Sequence, residues 1–179
     1  MNGQGMPWLD APMRVISTDP FFWAVGALVL YGAAKRLSLS QLLVGGAWFA
    51  LGLVLSDAIS VHFFKDVVER LRPCHDPLCQ DSLRLVADAC RGKFGFVSSH
   101  ATNAAALVVL SQAFSLPRWA FPALILWMVL TGWSRVHLGV HFPGDILGGW
   151  LVGAAWATLW IKIRPAAWNE APTSSSTEA

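Results

Sequence analysis

Charge is what this sequence has least of. Asp, Glu, Lys and Arg make up 13% of its 179 residues, against a usual share of about 25% in soluble domains. That excludes an ordinary solvated globule. The few charges nearly cancel to a net +2, so no basic field marks a nucleic-acid partner. There is a single Tyr, and the three Cys fall in one short stretch, 74–90. No internal repeat is evident. Residues 1–20 hold no basic cluster ahead of an apolar core and no small-residue cleavage pattern, so no secretory signal peptide is expected. No group of Asp, Glu and His has the spacing of a divalent-metal site, so neither a metal nor another cofactor is expected.

What is abundant is apolar. Hydrophobic residues make up 55% of the chain, ten of them Trp, and the mean hydropathy is +0.50. They come in runs rather than at amphipathic spacing, which points to a bilayer. Five stretches are expected to span: Pro20 to Ala34, Leu37 to Ser56 with its helix continuing to about Lys65, Phe94 to Pro117, Trp119 to Ser134, and Ile146 to Ile161. The expected fold is therefore all-α, an integral membrane bundle of about five transmembrane helices filling residues 20–164. Residues 1–19 form a separate N-terminal segment, read either as an amphipathic interfacial helix or as a plain surface lead-in. Residues 165–179, rich in Ser, Thr, Ala and Pro, are expected to be a disordered tail.

Five spans sort the connections onto two sides. Lys35-Arg36, Pro117-Arg118 and the segment after Ile161 fall on one side; residues 66–93 and 135–145 fall on the other. A count of basic residues favours the second side as cytoplasmic. Lys65, Arg72 and Arg135 have a chemical reason to be there, however, so an extracytoplasmic second side in the cell membrane is expected.

All the residues with chemistry collect on that side, where ionisable groups beside spanning helices are usually functional. Lys65 and Arg72 are seven apart and, on one helix, would share a face, where two cations can close around an anion. Ser98 or Ser99 can cap the third run, whose free N–H groups favour phosphate, and His100 in the first turn can hold a proton. Arg135 ends one run and Asp145 begins the next, so both return with His141 to one face. Asp145 can orient His141 and raise its nucleophilicity.

Together these segments read Lys-x6-Arg-Pro, Ser-x-His and Ser-Arg-x5-His-x3-Asp. In that order and spacing they resemble the signature of the type 2 phosphatidic acid phosphatases, a superfamily that includes vanadium haloperoxidases and bacterial acid phosphatases. The resemblance covers roughly residues 41–163. It implies a site at one membrane face in which Lys65, Arg72, Ser98, Ser99 and Arg135 hold the phosphoryl oxygens of a lipid phosphate. It makes His141 the nucleophile, Asp145 its orienting partner and His100 the general acid. Val97 and Ser99 stand where the family usually has Pro and Gly, which adds a Cβ and a hydroxyl beside the phosphate. The family's membrane members often have six helices, one more than the runs here supply. Around Arg72-Pro73-Cys74-His75 and Phe96 to His100, the chain looks most like bacterial polyprenyl (undecaprenyl) diphosphate phosphatases. The alternatives are phosphatidylglycerophosphate, phosphatidate or lipid A phosphatases, or a phosphotransferase using the same histidine.

Cys74, Cys79, Cys90 and His75 admit two readings, an irregular zinc site or, in an extracytoplasmic loop, a disulfide whose pairing is open. Asp57, about 12 Å deeper than Lys65 on a helix, is read as holding another helix or a cation of the site. His137 either faces headgroups or braces the site. Trp23, Trp119, Trp133 and Trp160 are read as interface anchors, and the small residues from Gly148 to Ala155 as a close helix contact. If the chemistry needs only these side chains, phosphate release persists in excess chelator. Loss of activity that added Mg²⁺ restores contradicts it.

Overall fold

A computed structural model describes residues 6–87 and 90–165 of the chain. The expected disordered tail therefore lies almost wholly outside the described residues. The N-terminal segment is helical: a 3-10 turn at Pro7–Leu9 leads into α1 (Asp10–Ile16). Thr18 then caps α2 (Asp19–Ala34), its hydroxyl accepting the N–H of Phe21, with Pro20 in the first turn where its missing N–H is not needed. The two helices meet at a 55° bend.

A capping box between Ser38 and Gln41 opens α3 (Leu39–Ile59). The helix runs on through a π-helical stretch, Ser60–Lys65, into the short α4 (Asp66–Val68), where left-handed Glu69 (φ 51°) stops it. After an irregular segment come α5 (Ser99–Ser111), α6 (Ala120–His137) and α7 (Pro143–Lys162). The described residues contain no strand beyond an isolated Leu71–Phe94 bridge. The run 94–117, expected to span as one helix, is helical only from Ser99, because the residues before it pair with the Arg70–Arg72 segment and with Asp145. Among the described residues one helix, Leu39–Val68, is by length and hydropathy enough to cross a membrane alone. The 3-10 turn with α1 and α2 qualifies only as a bent pair, so the five expected spans are not confirmed.

α5 is the central helix, packed against α7, α6, α3 and α2. Its Ala104, Leu107 and Leu110 are buried with Val29 and Ala33 of α2, Phe49 and Leu53 of α3, Trp127 of α6 and Ala157 of α7. The large apolar side chains of the outer helices, among them Leu28, Leu43, Leu51, Leu126, Leu151 and Leu159, point outward and are exposed. That is the inverse of a water-soluble helix bundle, whose outward face is polar.

The closest helix approach uses the small-residue run. A Cβ on Gly153 would lie 2.0 Å from the Thr102 carbonyl oxygen, and one on Gly149 would lie 2.9 Å from that of Ser98. The side chain of α7 is thus absent where the backbone of α5 passes. Gly46, by contrast, meets nothing nearer than 3.8 Å. Gly153→Ala is expected to lower stability by about 1–3 kcal/mol through overpacking, whereas Gly46→Ala is neutral or stabilising by up to about 1 kcal/mol. Thermal unfolding in detergent checks this, and equal midpoints for the two variants contradict it.

Candidate active site

The link between α6 and α7 turns at Gly139, whose φ of 79° suits glycine, and Pro143 starts the next helix. Asp145, in the first turn of α7, accepts the N–H of Phe142 at 2.8 Å. The same oxygen lies 3.2 Å from Nδ1 of His141, a side chain itself almost fully buried. Nε2 of His141 lies 3.0 Å from Nη1 of Arg72, which also donates to the Val140 carbonyl at 3.2 Å. Arginine can only donate, so Nε2 is the acceptor and Nδ1 carries the proton given to Asp145.

Asp145 is fully buried. Its second oxygen pairs with Arg70, whose guanidinium lies 4.7 Å over the ring of Phe96 and 5.6 Å over that of Phe142. A buried carboxylate without such partners would be costly. Sequence reasoning counted Arg70 only among the basic residues of its loop. The available signal was its place two residues before Arg72.

Ser98 occupies the N-cap position of α5, and its N–H donates to the Asp145 carbonyl at 3.1 Å. Its hydroxyl makes no cap and is buried without a partner. The Ser99 hydroxyl accepts from Lys65 and lies 2.6 Å from the hydroxyl of Ser60. His100 places Nε2 3.1 Å from the Ser17 carbonyl and 3.9 Å from Asp19. Arg135 donates to the Ser17 hydroxyl. The Nε atoms of Arg72 and Arg135 are buried without partners.

One expectation needs correction. Lys65 and Arg72 do not share a helix face, because the helix ends at Val68 and Glu69 turns the chain. Arg72 is placed instead by backbone pairing: its N–H donates to the Lys93 carbonyl at 3.1 Å, and Gly95 donates to Arg70 at 2.8 Å. The two cations still meet at one cavity of about 610 Å³, which Ser99, His100, Arg135 and His141 also line. Ser98 and Asp145 stand behind that wall. Residues not expected from the sequence line the cavity too, among them Arg14, Ser17, Asp19 and Arg91. The alternation of sides had already put the start of α2 on this face, and Thr18 with Pro20 marks that start.

α1 is held against the site by Asp10, which accepts from Arg84 at 3.0 Å and pairs with Nε2 of His137 at 2.8 Å. His137 thus braces the site rather than facing headgroups. Leu9 and Met13 pack on Leu138 and Val140 of the link between α6 and α7. Cys74 and Cys90 form a disulfide with Cα atoms 6.3 Å apart, and Cys79 is free. His75 lies beside that pair, with its donor atom and the two sulfurs all within 4.8 Å. The sulfurs are bonded to each other rather than poised as thiolate ligands, and Cys79 is outside the group, so the four-ligand zinc reading does not fit.

Burial above all, and then the positive charges of Arg72 and Arg135, push His141 down to about 4; the hydrogen bond to Asp145 opposes this without reversing it. A neutral ring with an unprotonated Nε2, buried among cations on the wall of a cavity, is equipped to attack an electron-poor centre carrying negative oxygens.

Residues 45–169 match the PAP2 superfamily. The chain is similar to the lipid A 4′-phosphatase of Bacteroides thetaiotaomicron, at 29% identity over 85% of this chain and 68% of that one. It is similar also to the lipid A 4′-phosphatase of Porphyromonas gingivalis, at 32% identity over 86% and 65%. The chain thus spans about two-thirds of the length of these curated relatives. Its fold resembles the crystal structure of a transmembrane PAP2-type phosphatidylglycerolphosphate phosphatase from Bacillus subtilis, with a TM-score of 0.59 and 24% identity over 88% of this chain and 77% of that one.

The depressed His141 pKa has a signed consequence. Between about 4 and 6.5 the unfolded chain binds a proton at this residue that the folded chain refuses, so its contribution to stability falls as pH drops through that window. ¹⁵N NMR of labelled histidine in micelles is expected to find His141 neutral and Nδ1-protonated at pH 6. A titration midpoint at or above 6.5 contradicts this.

Proposed function

The chain belongs to the PAP2 superfamily, and on that footing we propose that it is a membrane-embedded phosphatase. Its substrate is a lipid phosphate or diphosphate, hydrolysed through a phosphohistidine at His141. The observation that carries this reading is the Nε2 of His141, held as an acceptor by Asp145 and Arg72 on the wall of a cavity that Lys65 and Arg135 also line. Lys65, Arg72 and Arg135 line the site together with Arg14 and Arg91, and buried donors there have hydrogen bonds unmade, which suits a multiply charged phosphoryl group.

In the first step Nε2 attacks phosphorus, and the bond to the lipid oxygen breaks. Lys65, Arg72, Arg135, the Ser99 hydroxyl and the N-terminus of α5 at Ser98 take up the charge of the phosphoryl oxygens. His100, in the form that carries a proton on both ring nitrogens, gives the departing oxygen the one on Nδ1. Its Nε2–H is donated to the Ser17 carbonyl, so Nδ1 is the nitrogen that exchanges the proton. In the second step the same nitrogen takes a proton from water as it attacks the phosphohistidine. Inorganic phosphate leaves and both histidines return to their starting state. Asp145, fixed by Arg70 and the Phe142 N–H, keeps the tautomer and stabilises the ring while it carries the phosphoryl group.

The exposed apolar perimeter of α2, α3, α6 and α7 supports placing these helices, with α5 at their centre, in the bilayer of the cell membrane. The Cys74–Cys90 disulfide lies in the loop that carries Arg70 and Arg72. It supports an extracytoplasmic site, since disulfides persist in oxidising compartments.

Purified protein in detergent, given a panel of lipid phosphates, is expected to release inorganic phosphate. Acid quench should yield a phosphorylated peptide containing His141. His141→Ala should lower release by at least about 10³-fold and abolish the labelled peptide while the protein remains folded. A phosphorylated acceptor in place of free phosphate indicates a transferase, and undiminished release from the variant refutes the nucleophile.

A further inference from the structure

Beside the large cavity lies a second one of about 330 Å³ between α2, α3 and α5. The two share Asp19, Ser99 and His100 as walls. The second is thus within reach of the skeleton that adjoins a phosphate seated in the first. Most of the smaller cavity is apolar, with Phe22, Trp23, Leu53 and Val54 along it, as a hydrocarbon chain requires.

Besides the shared Asp19, Ser99 and His100, two residues break that pattern. Asp57 and Asn103 line the same cavity, and the Asn103 amide donates to Asp57 Oδ1 at 3.0 Å. That bond uses a donor of Asn103 and leaves its carbonyl oxygen, which is buried without a partner. Asp57 is exposed on the cavity side of α3. A carboxylate offers about four acceptor positions, of which the Asn103 amide takes one. At membrane depth an ionisable side chain beside hydrocarbon is expensive and is normally functional. Asp19, on the shared wall, adds a further acceptor.

We propose that Asp57 and Asn103 form a subsite for hydrogen-bond donors on the carbon skeleton next to the scissile phosphate. The substrate class this selects is a lipid whose phosphate is carried by a hydroxyl- or amide-bearing unit, such as an acylated glycerol or amino sugar. It selects against a phosphate mounted directly on bare hydrocarbon, as in a polyprenyl or alkyl phosphate. A site of paired acceptors rejects a ligand that lacks donors, because the acceptors then lose water and gain nothing. This rests on the lipid-phosphatase reading above and deepens it.

The test compares kcat/KM in mixed micelles for three substrates of matched chain length: a monoacylglycerol phosphate with its free hydroxyl, an N-acyl glucosamine phosphate, and a simple alkyl phosphate. The wild-type protein is expected to prefer a donor-bearing substrate by at least about tenfold, the scale of one hydrogen bond to a charged group. Asp57→Leu and Asn103→Leu should collapse that ratio, and Asp57→Asn, which keeps an acceptor oxygen, should retain part of it. Should Asp57→Leu fail to fold, Asp57→Asn and Asn103→Leu carry the comparison. A wild-type protein without preference overturns the subsite. So does a loss of equal size on all three substrates, which would assign Asp57 to the support of Lys65. A wild-type protein that hydrolyses none of the three, with His141→Ala indistinguishable from it, marks instead a failure of the phosphatase reading.

Discussion

Where Gly153 passes Thr102, helices α7 and α5 come so close that a single methyl group would meet a carbonyl oxygen at 2.0 Å. One turn nearer the site, Gly149 passes Ser98 and Ala101 in the same way. Contact between two backbones leaves no flexible side chain to absorb a shift, so the relative position of the two helices is set rigidly. At the end of that contact the Ser98 N–H reaches the Asp145 carbonyl. The first turn of each helix is thereby tied to the other, and Ser98, Ser99 and His100 face the residues around His141 in a fixed geometry. A catalytic constellation depends on placement at this scale. Here it comes from glycines well inside the bundle.

The charges at the site then organise themselves around burial. Asp145 has no exposure, and it is satisfied from three directions by His141, Arg70 and the Phe142 N–H. Removing one partner of such a buried pair typically costs about 3–5 kcal/mol. Arg70 is committed to this task. Arg72, Arg135 and Lys65 are not: their bonds go to neutral groups, namely His141 and the Val140 carbonyl, the Ser17 hydroxyl, and the Ser99 hydroxyl. The site therefore divides its cations by partner, one locked to an internal carboxylate and three meeting only neutral atoms in these bonds. That division explains how a cluster of like charges can be stable yet receptive to an anion.

Much of the site was legible in the sequence because its residues are expensive ones in cheap surroundings. His141 and Asp145, four apart across Pro143, imply their own hydrogen bond, and the three segments imply one membrane face. The small residues Gly149 and Gly153 were legible as a packing seam. Other features were not, for identifiable reasons. The relation of Lys65 to Arg72 was read with helical periodicity, but left-handed Glu69 and the Leu71–Phe94 bridge break the helix between them. Arg70 was hidden because its role depends on a carboxylate 75 residues away. The 16-residue separation of Cys74 and Cys90 could not select that pair over the other two. Run lengths, finally, overstated α5, since the apolar residues before Ser99 pair with Leu71, stack on Arg70 and pack against Gly148 of α7 rather than continue a span.

The N-terminal segment was the hardest part to read, and it changes how the site is understood. Every residue to which the chemistry is assigned lies within 45–169, the part that matches the superfamily. Ser17 lies outside it, yet its hydroxyl receives Arg135 and its carbonyl faces Nε2 of His100. Both groups belong to the short turn between α1 and α2, and that turn is held down by Asp10 through Arg84 and His137 and by Leu9 and Met13 on the link between α6 and α7. The orientation of the His100 imidazole and of the Arg135 guanidinium therefore depends on a segment remote in sequence from both. A polar backbone carbonyl suits such a task, because it can only accept and so keeps a proton on Nε2, leaving Nδ1 as the nitrogen free to exchange one. The three motif segments supply the histidines and the cations Lys65, Arg72 and Arg135 of the cavity, and the N-terminal turn fixes the hydrogen bonds of His100 and Arg135 from outside them.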